Sequence, residues 1–247
     1  MSTFDPSSVE MRPKLVGQRV KRTEDPRLLA GVGRYVDDIT PQGTLHIAIR
    51  RSDQPHARIR NVDVGEAFSL PGVVGIFDAT DLEGEFKPAV PTSKMKNYYA
   101  TPIWPLARGK VRYVGEPVIA VVAESRYAAE DALEHITIEY DPLPFAIRQV
   151  DAVADDAPLL HEEAGTNVII SREFARGDVD KAIAEAPVTV KAVLRMTRKT
   201  AVAMENRSYL AEWDKRRLAL TLHSSTNIPG VIRDVLAGCF DLPGNRM

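Results

Sequence analysis

The hydrophobic pattern is clearest between residues 111 and 144, where it predicts a strand, a helix and a second strand in succession. Residues 117–123 form a continuous apolar run rich in valine and isoleucine, which is typical of a strand covered on both faces. Ser125 can cap the following helix, whose apolar positions recur at helical spacing and are Ala128, Ala129, Ala132 and Leu133. Residues 135–140 then alternate apolar and polar positions until the segment 141–144, with its two prolines, ends the unit.

The region before this unit predicts shorter elements and one long irregular segment. Residues 43–50 alternate as a strand, residues 73–77 predict another strand, and residues 63–70 predict a short helix. Residues 84–110 have no clean period and contain several prolines. Long loops inside compact domains tend to be functional or interfacial, so we expect one of these roles for this loop.

The region after residue 144 begins with an extended connector over residues 144–165. Asp178 is predicted to cap a short helix that runs to Ala184. Residues 188–196 then alternate valine, leucine and methionine with polar positions, which predicts a strand. These elements are shorter and more widely spaced than those of the first region.

A hairpin and a helix are the last predicted elements, and their junction is suited to bind an anion. Residues 208–213 and 218–224 flank a polar turn, and residues 228–238 place apolar side chains on one helical face. Residues 224–227 lie where the strand ends and the helix begins, so free N–H groups and the helix dipole favour an oxo or phosphate group there. Asn227 is either part of such a site or the N-cap of the helix, for which asparagine is among the best residues.

Composition places the chain among ordinary globular proteins and excludes several functions. Its 247 residues are 44% hydrophobic, and 32 basic residues are balanced by 34 acidic ones. No basic stripe indicates nucleic-acid binding, and no apolar run is long enough for a membrane span or a signal peptide. The single cysteine, Cys239, excludes an intramolecular disulfide and fits a reducing, cytoplasmic location.

No self-contained active site can be assembled from the side chains, so we predict no catalytic residue and no metal ligand in this chain. The five histidines show no metal-ligand spacing, and we interpret each as surface or strand decoration; they are His46, His56, His135, His161 and His223. Cys239 lies on the apolar face of the last helix and is interpreted as an inert buried thiol. The glycines at 31 and 33 lack the strand and the third glycine that a dinucleotide loop requires.

A series of short motifs follows a fixed order from about residue 15 to residue 247. In the first half they are residues 33–39, 45–52, 55–59, 71–77 and 111–144. In the second half they are residues 177–179, 203–205, 211–214, 224–226 and 242–243, together with Asn167. In this order they resemble the start of the molybdenum-binding subunit in the xanthine dehydrogenase, aldehyde oxidase and carbon monoxide dehydrogenase family.

The resemblance implies an α+β fold, with an α/β hammerhead domain followed by an incomplete mixed α/β molybdopterin-binding domain. It places a flexible tail at residues 1–14, the hammerhead domain at 15–143, a linker at 144–165 and the partial first molybdopterin-binding domain at 166–247. At the position of Asn227 the family usually carries a glutamine, whose amide approaches an oxygen ligand of the molybdenum. The resemblance therefore implies that Asn227 is a cofactor-binding residue, although its side chain is one methylene shorter.

The function that the resemblance implies is part of a molybdenum hydroxylase, which oxidises an aldehyde, an N-heterocycle or carbon monoxide with water as the oxygen source. The family's glycine-rich loop and its later glutamate base follow the equivalent of Met247. We therefore expect the molybdopterin to be shared with a remaining molybdopterin-binding polypeptide, and the chain to be inactive without it. Iron–sulfur clusters and FAD are expected on partner subunits. The alternative is a non-catalytic scaffold or assembly module, or a truncated remnant of such a subunit.

Overall fold

The computed structural model describes residues 15–95 and 97–247, so the tail predicted for residues 1–14 lies outside the described residues. The strands are β1 (His46–Arg51), β2 (Ala57–Asp63), β3 (Val73–Phe77), β4 (Lys110–Val111), β5 (Pro117–Ala123), β6 (Thr137–Pro142), β7 (Tyr209–Asp214) and β8 (Ala219–Ser224). The helices are α1 (Asp25–Leu29), α2 (Arg126–Glu134), α3 (Gln149–Ala152), α4 (Val179–Ala184) and α5 (Pro229–Phe240).

Strand β5 is the centre of a three-stranded antiparallel sheet with the order β1-β5-β3. Ile119 lies opposite Arg50 of β1, and Ala123 lies opposite Val73 of β3. Val118 and Ile119 point to opposite faces of the sheet, and both are almost completely buried. The apolar run at residues 117–123 is therefore a central strand covered on both faces, as its sequence predicts.

Helix α2 connects this sheet to a second one. The Ser125 hydroxyl accepts a hydrogen bond from the Ala128 N–H at 3.1 Å, which confirms the predicted N-cap. Ala129 and Ala132 are buried where α2 packs against β1 and β5. The strand that follows, β6, does not pair with β5. The strand–helix–strand unit that the sequence predicts as one compact piece is thus divided between two sheets.

The second sheet is also antiparallel and has the order β4-β2-β6. Ala57 pairs with Val111 on one side and with Pro142 on the other. One hydrophobic cluster joins both sheets and α2; its buried members are Ala57, Ala67, Ala107, Val111, Val118, Ile119, Val121, Ala123, Ala129, Ala132 and Ile136. The short helix predicted at residues 63–70 is only a 3-10 turn at Ala67–Ser69, since Pro71 and Gly72 follow at once.

The connector after β6, residues 144–165, is attached to the hammerhead domain by side-chain contacts. It contains α3 and a 3-10 turn at Glu162–Ala164. The Lys110 ammonium contacts both carboxylate oxygens of Glu162, at 2.7 and 2.5 Å. The Asn167 amide donates to the carbonyls of Ala152 and Pro158, and its oxygen accepts from the Leu160 N–H. These side chains hold the connector in one conformation.

The second half contains the predicted helix and hairpin but not the predicted strand. Asp178 caps α4 through a hydrogen bond from the Lys181 N–H, and β7 pairs with β8 in register. Residues 188–196 have no regular secondary structure and belong to no ladder within the described part of the chain, so the strand prediction is wrong for this structure. The physical reason is that alternation marks a strand only where another strand satisfies its backbone. Their apolar side chains are exposed, with Met196 90% accessible.

Candidate functional site

The candidate site is the link between β8 and α5, which covers residues 225–228. Ser225 fixes this link to the base of the hairpin, because its N–H donates to the Ser208 carbonyl at 3.2 Å. The Ser225 hydroxyl accepts from the Ser208 N–H at 2.9 Å and donates to the Asn206 carbonyl at 3.1 Å. The start of the link is therefore attached to the hairpin by three hydrogen bonds.

Asn227 lies in this link and is exposed. The N-cap of α5 is Ile228, which makes no side-chain capping bond, and Pro229 is the first helical residue. The alternative that Asn227 is the N-cap is therefore wrong. The Asn227 side chain makes no hydrogen bond with the residues that the structure describes, so its amide is available to a ligand.

The first turn of α5 presents fewer backbone donors than the sequence suggests. Val231 and Ile232 both donate their N–H groups to the Ile228 carbonyl, at 3.1 and 3.2 Å. Pro229 has no N–H, so Gly230 supplies the remaining donor of this turn. The positive end of the helix dipole remains, and it favours a ligand atom that carries negative charge.

Ser224, the last residue of β8, supplies a second polar group at the junction. Its hydroxyl oxygen is buried and has no hydrogen-bond partner within residues 15–95 and 97–247. His56 Nε2 and the Tyr140 hydroxyl are likewise buried without a partner in this part of the chain, so the unpaired Ser224 hydroxyl does not by itself identify a ligand. The Asn227 amide and the Gly230 N–H belong to exposed residues and can donate to an oxygen-rich ligand. Donors at the start of a helix suit an oxo or phosphate group.

Charged side chains elsewhere do not form a metal centre. Among the described residues, no group of three or more His, Cys, Asp or Glu side chains could hold a metal ion. In the same part of the chain, no helix combines the length and the apolar character needed to cross a membrane.

His56 corrects one interpretation made from the sequence. It is only 4% exposed, not a surface residue, and its Nδ1 lies 2.7 Å from the Pro144 carbonyl. Since a carbonyl only accepts, Nδ1 donates this hydrogen bond, and Nε2 is buried without a partner among the described residues. The alternation of β2 gives no sign of this, because His56 precedes the strand and is buried by the chain returning at residue 144. Cys239 is buried, as predicted.

The long loop at residues 84–110 makes backbone hydrogen bonds to the second half of the chain. The Tyr99 N–H donates to the Ile169 carbonyl at 2.8 Å. The Lys87 N–H donates to the Cys239 carbonyl in the last turn of α5, also at 2.8 Å. The Trp104 ring makes a tilted contact with Phe86, and the guanidinium of Arg108 lies over it. The loop therefore packs the two halves together, which is one of the two roles expected for it.

Two family models match the chain in succession. Residues 30–144 match the aldehyde oxidase and xanthine dehydrogenase a/b hammerhead domain, and residues 160–247 match the molybdopterin cofactor-binding domain. The chain belongs to the xanthine dehydrogenase family of molybdenum-binding large subunits. The fold is therefore the predicted one, a hammerhead domain followed by part of a molybdopterin-binding domain.

Within this family, the chain is 36% identical over 223 residues to the nicotine 6-hydroxylase large subunit of Paenarthrobacter nicotinovorans. It is 33% identical over 261 residues to the carbon monoxide dehydrogenase large chain of Afipia carboxidovorans. These matches cover 90% and 100% of this chain but 27% and 32% of the relatives. The chain thus spans about three tenths of the length of these relatives.

Solved structures also superimpose on most of this chain and on about three tenths of their own length. The quinoline 2-oxidoreductase of Pseudomonas putida 86 superimposes with a TM-score of 0.86 at 33% identity, over 92% of this chain and 29% of that one. A Cu,Mo-CO dehydrogenase superimposes with a TM-score of 0.78 at 31% identity, over 93% of this chain and 30% of that one.

Proposed function

We propose that this chain is one part of a molybdenum hydroxylase, in which polypeptide outside these 247 residues supplies the remainder of the cofactor site. The observation that carries this proposal is the succession of a hammerhead domain and a cofactor-binding domain along one chain. Its relatives are molybdenum hydroxylases, including enzymes named for carbon monoxide and nicotine. The domain limits we propose are residues 15–143 and 166–247, joined by a linker at 144–165.

The exposed surface supports a large polypeptide partner. The accessible surface is 20659 Å² for a chain of 27.3 kDa, whereas a compact monomer of this mass exposes about 11,000 Å². Several large apolar side chains in the second half are exposed; they are Val188, Val190, Val193, Leu194, Met196, Val202 and Met204. Surface of this kind is normally covered by protein. A polypeptide that completes the cofactor-binding domain would cover it.

Asn227 is the residue that we propose for the cofactor. Its free side-chain amide would donate a hydrogen bond to an oxygen atom of the bound group, and the Gly230 N–H would provide a second donor. When bound, the molybdenum cofactor supplies the two-electron oxidation chemistry. The role of these residues is to bind and orient the group through their N–H donors. The remaining walls would come from the partner polypeptide, and iron–sulfur clusters and FAD from further subunits.

Among the possible substrates, the comparisons favour an N-heterocycle. One relative, at 36% identity, is named for nicotine, and one solved structure, at a TM-score of 0.86, is named for quinoline. Both compounds are N-heterocycles. Carbon monoxide and an aldehyde are the other classes to test. We also propose a cytoplasmic location, which is supported by the lone Cys239.

Co-expression with the neighbouring reading frames tests the proposal. The purified complex should contain molybdenum close to one atom per chain, measured by plasma mass spectrometry, and should transfer ¹⁸O from water into an N-heterocycle. A complex without molybdenum would contradict the proposal and favour the scaffold alternative.

Variants of Asn227 test its assigned role within the same complex. Removing the amide in Asn227→Ala should lower kcat by about tenfold to a hundredfold, because one donor to a developing charge is lost. Asn227→Gln should retain activity, since it restores the amide one methylene further out. The matched control is Asn61→Ala, which removes an exposed asparagine from β2. Equal kcat values for Asn227→Ala and Asn61→Ala would exclude a cofactor role for Asn227.

A further inference from the structure

Helix α5 is buried only at its C-terminal end. Its buried residues are Ala237 and Cys239, whereas residues 229–231 in its first turn are exposed. The helix has 12 residues and is therefore about 18 Å long. Because a helix of this length moves as a rod, the contacts at its last turn set the direction of its axis. The direction in which its first turn points its N–H groups depends on that axis.

The contacts at the last turn come from the loop at residues 84–110 of the hammerhead domain. Phe86 packs against Phe240 with ring centroids 6.3 Å apart. The Lys87 N–H donates to the Cys239 carbonyl at 2.8 Å, and the Lys87 ammonium lies 3.0 Å from an Asp241 carboxylate oxygen. We name this pair of residues, Phe86 and Lys87, the α5 clamp. It combines an aromatic contact, a backbone hydrogen bond and an ion pair within two consecutive residues.

Other side chains of the hammerhead domain contact the Phe86 ring of the clamp or stabilise its neighbours. The Phe86 ring lies 6.1 Å from the ring of Trp104, and the Arg108 guanidinium lies 4.2 Å above Trp104. Arg108 also forms an ion pair with Glu83. Contact with the Trp104 ring restricts the Phe86 side chain, so less side-chain entropy is lost when Phe86 contacts a further group. Phe86 is therefore already positioned to receive Phe240.

We propose that the α5 clamp positions the cofactor-binding end of α5, so that Phe86 and Lys87 act on the cofactor site from the opposite end of the helix. The proposal rests on the proposed function, because it assumes that the link at residues 225–228 binds the cofactor. The helix then has two anchors: Ser225 at its start and the clamp at its end. Without the clamp, α5 pivots about the link, and the Gly230 N–H and the helix dipole turn away from the ligand.

The experiment uses the complex in which this chain is purified and compares Phe86→Ala with Phe86→Tyr, which keeps the ring. The matched control is Phe68→Ala, which removes an exposed phenylalanine outside the clamp. Hydrogen exchange reports the opening of α5, and molybdenum content reports the cofactor site. Phe86→Ala should speed amide exchange in residues 230–240 about tenfold and lower the molybdenum content at least threefold. Exchange in β5 and α2 should keep its wild-type rate, which separates a local effect from global destabilisation.

A second variant keeps the test valid if Phe86→Ala does not fold. Lys87→Met removes the ion pair with Asp241 and keeps the backbone hydrogen bond, so exchange in α5 should rise about twofold to threefold. Unchanged exchange in α5 in both variants would overturn the proposal, as would faster exchange with full molybdenum content. If the wild-type complex contains no molybdenum, the proposed function fails. The hydrogen-exchange data then show whether the clamp holds α5. The positioning role is refuted together with the proposed function, because it requires a cofactor at the link.

Discussion

Replacing Glu162 by glutamine tests whether one ion pair holds the connector to the hammerhead domain. Both Glu162 carboxylate oxygens contact the Lys110 ammonium. The lysine side chain is only 11% exposed, whereas the glutamate side chain is 59% exposed. The hydrogen bond from Lys110 lowers the pKa of Glu162 from its ordinary value of 4.5 to about 2. The connector and the buried lysine therefore stabilise each other.

The magnitude follows from these quantities. A pKa that falls from 4.5 to about 2 corresponds to about 3.5 kcal/mol at about 1.4 kcal/mol per unit. Because Glu162 is largely exposed, solvent screening reduces the contribution of the pair to about 1 kcal/mol. Removing the carboxylate also leaves Lys110 buried without its partner, which adds a desolvation cost. We expect Glu162→Gln to lower the free energy of unfolding by about 1–2 kcal/mol at pH 7.

Urea unfolding followed by circular dichroism measures this change. The midpoint should fall by about 0.5 M at a slope of about 2–3 kcal/mol per M. The difference from wild type should also depend on pH, because the pKa of Glu162 is lower in the folded state. The stabilisation is complete above pH 4.5, where the unfolded carboxyl group is ionised, and is lost as the pH falls from 4.5 towards 2.

Two further variants show whether the reasoning is correct. Glu163→Gln makes the same chemical change at the next residue. The Glu163 carboxylate pairs with His161 on the exposed side of the connector, so this variant should lower the free energy of unfolding by under about 0.5 kcal/mol. Lys110→Met removes the buried charge and leaves a hydrated carboxylate, so it should cost less than Glu162→Gln. Equal losses for Glu162→Gln and Glu163→Gln, or a difference that does not change with pH, would refute the ion-pair argument.

Three other predictions concern the packing of the fold. Ile119→Ala should destabilise the chain by about 3 kcal/mol in urea unfolding because it leaves a cavity in the core, whereas Ile47→Ala at an exposed position of β1 should cost under about 1 kcal/mol. Ser125→Ala should cost about 1 kcal/mol through loss of the α2 cap, and Ser125→Asp should restore most of it in the same assay. Asn167→Ala removes three hydrogen bonds and should make the connector the first site of limited proteolysis, detected by mass spectrometry; an unchanged cleavage pattern would contradict the role given to Asn167.

The sequence by itself determined the local elements with strong patterns. The apolar run at residues 117–123, the serine that caps α2, the aspartate that caps α4 and the hairpin of β7 and β8 all form as predicted. Each depends on interactions between residues that are close in the chain or on a period that matches one type of element. The ordered motifs also determined the family, because many short matches in one order are specific even when each is weak.

The tertiary structure alone decided which elements meet. The hydrophobic pattern of β6 does not indicate that this strand pairs with β2 rather than with β5. The alternation at residues 188–196 does not supply a neighbouring strand. Lys110 and His56 are buried because distant segments return to cover them, at residues 162 and 144. Likewise, the N-cap of α5 is Ile228 rather than Asn227, because hydrogen bonds from Ser225 to the hairpin fix where the chain leaves β8. Contacts between residues far apart in the chain depend on the path of the whole backbone, and a local pattern carries no information about that path.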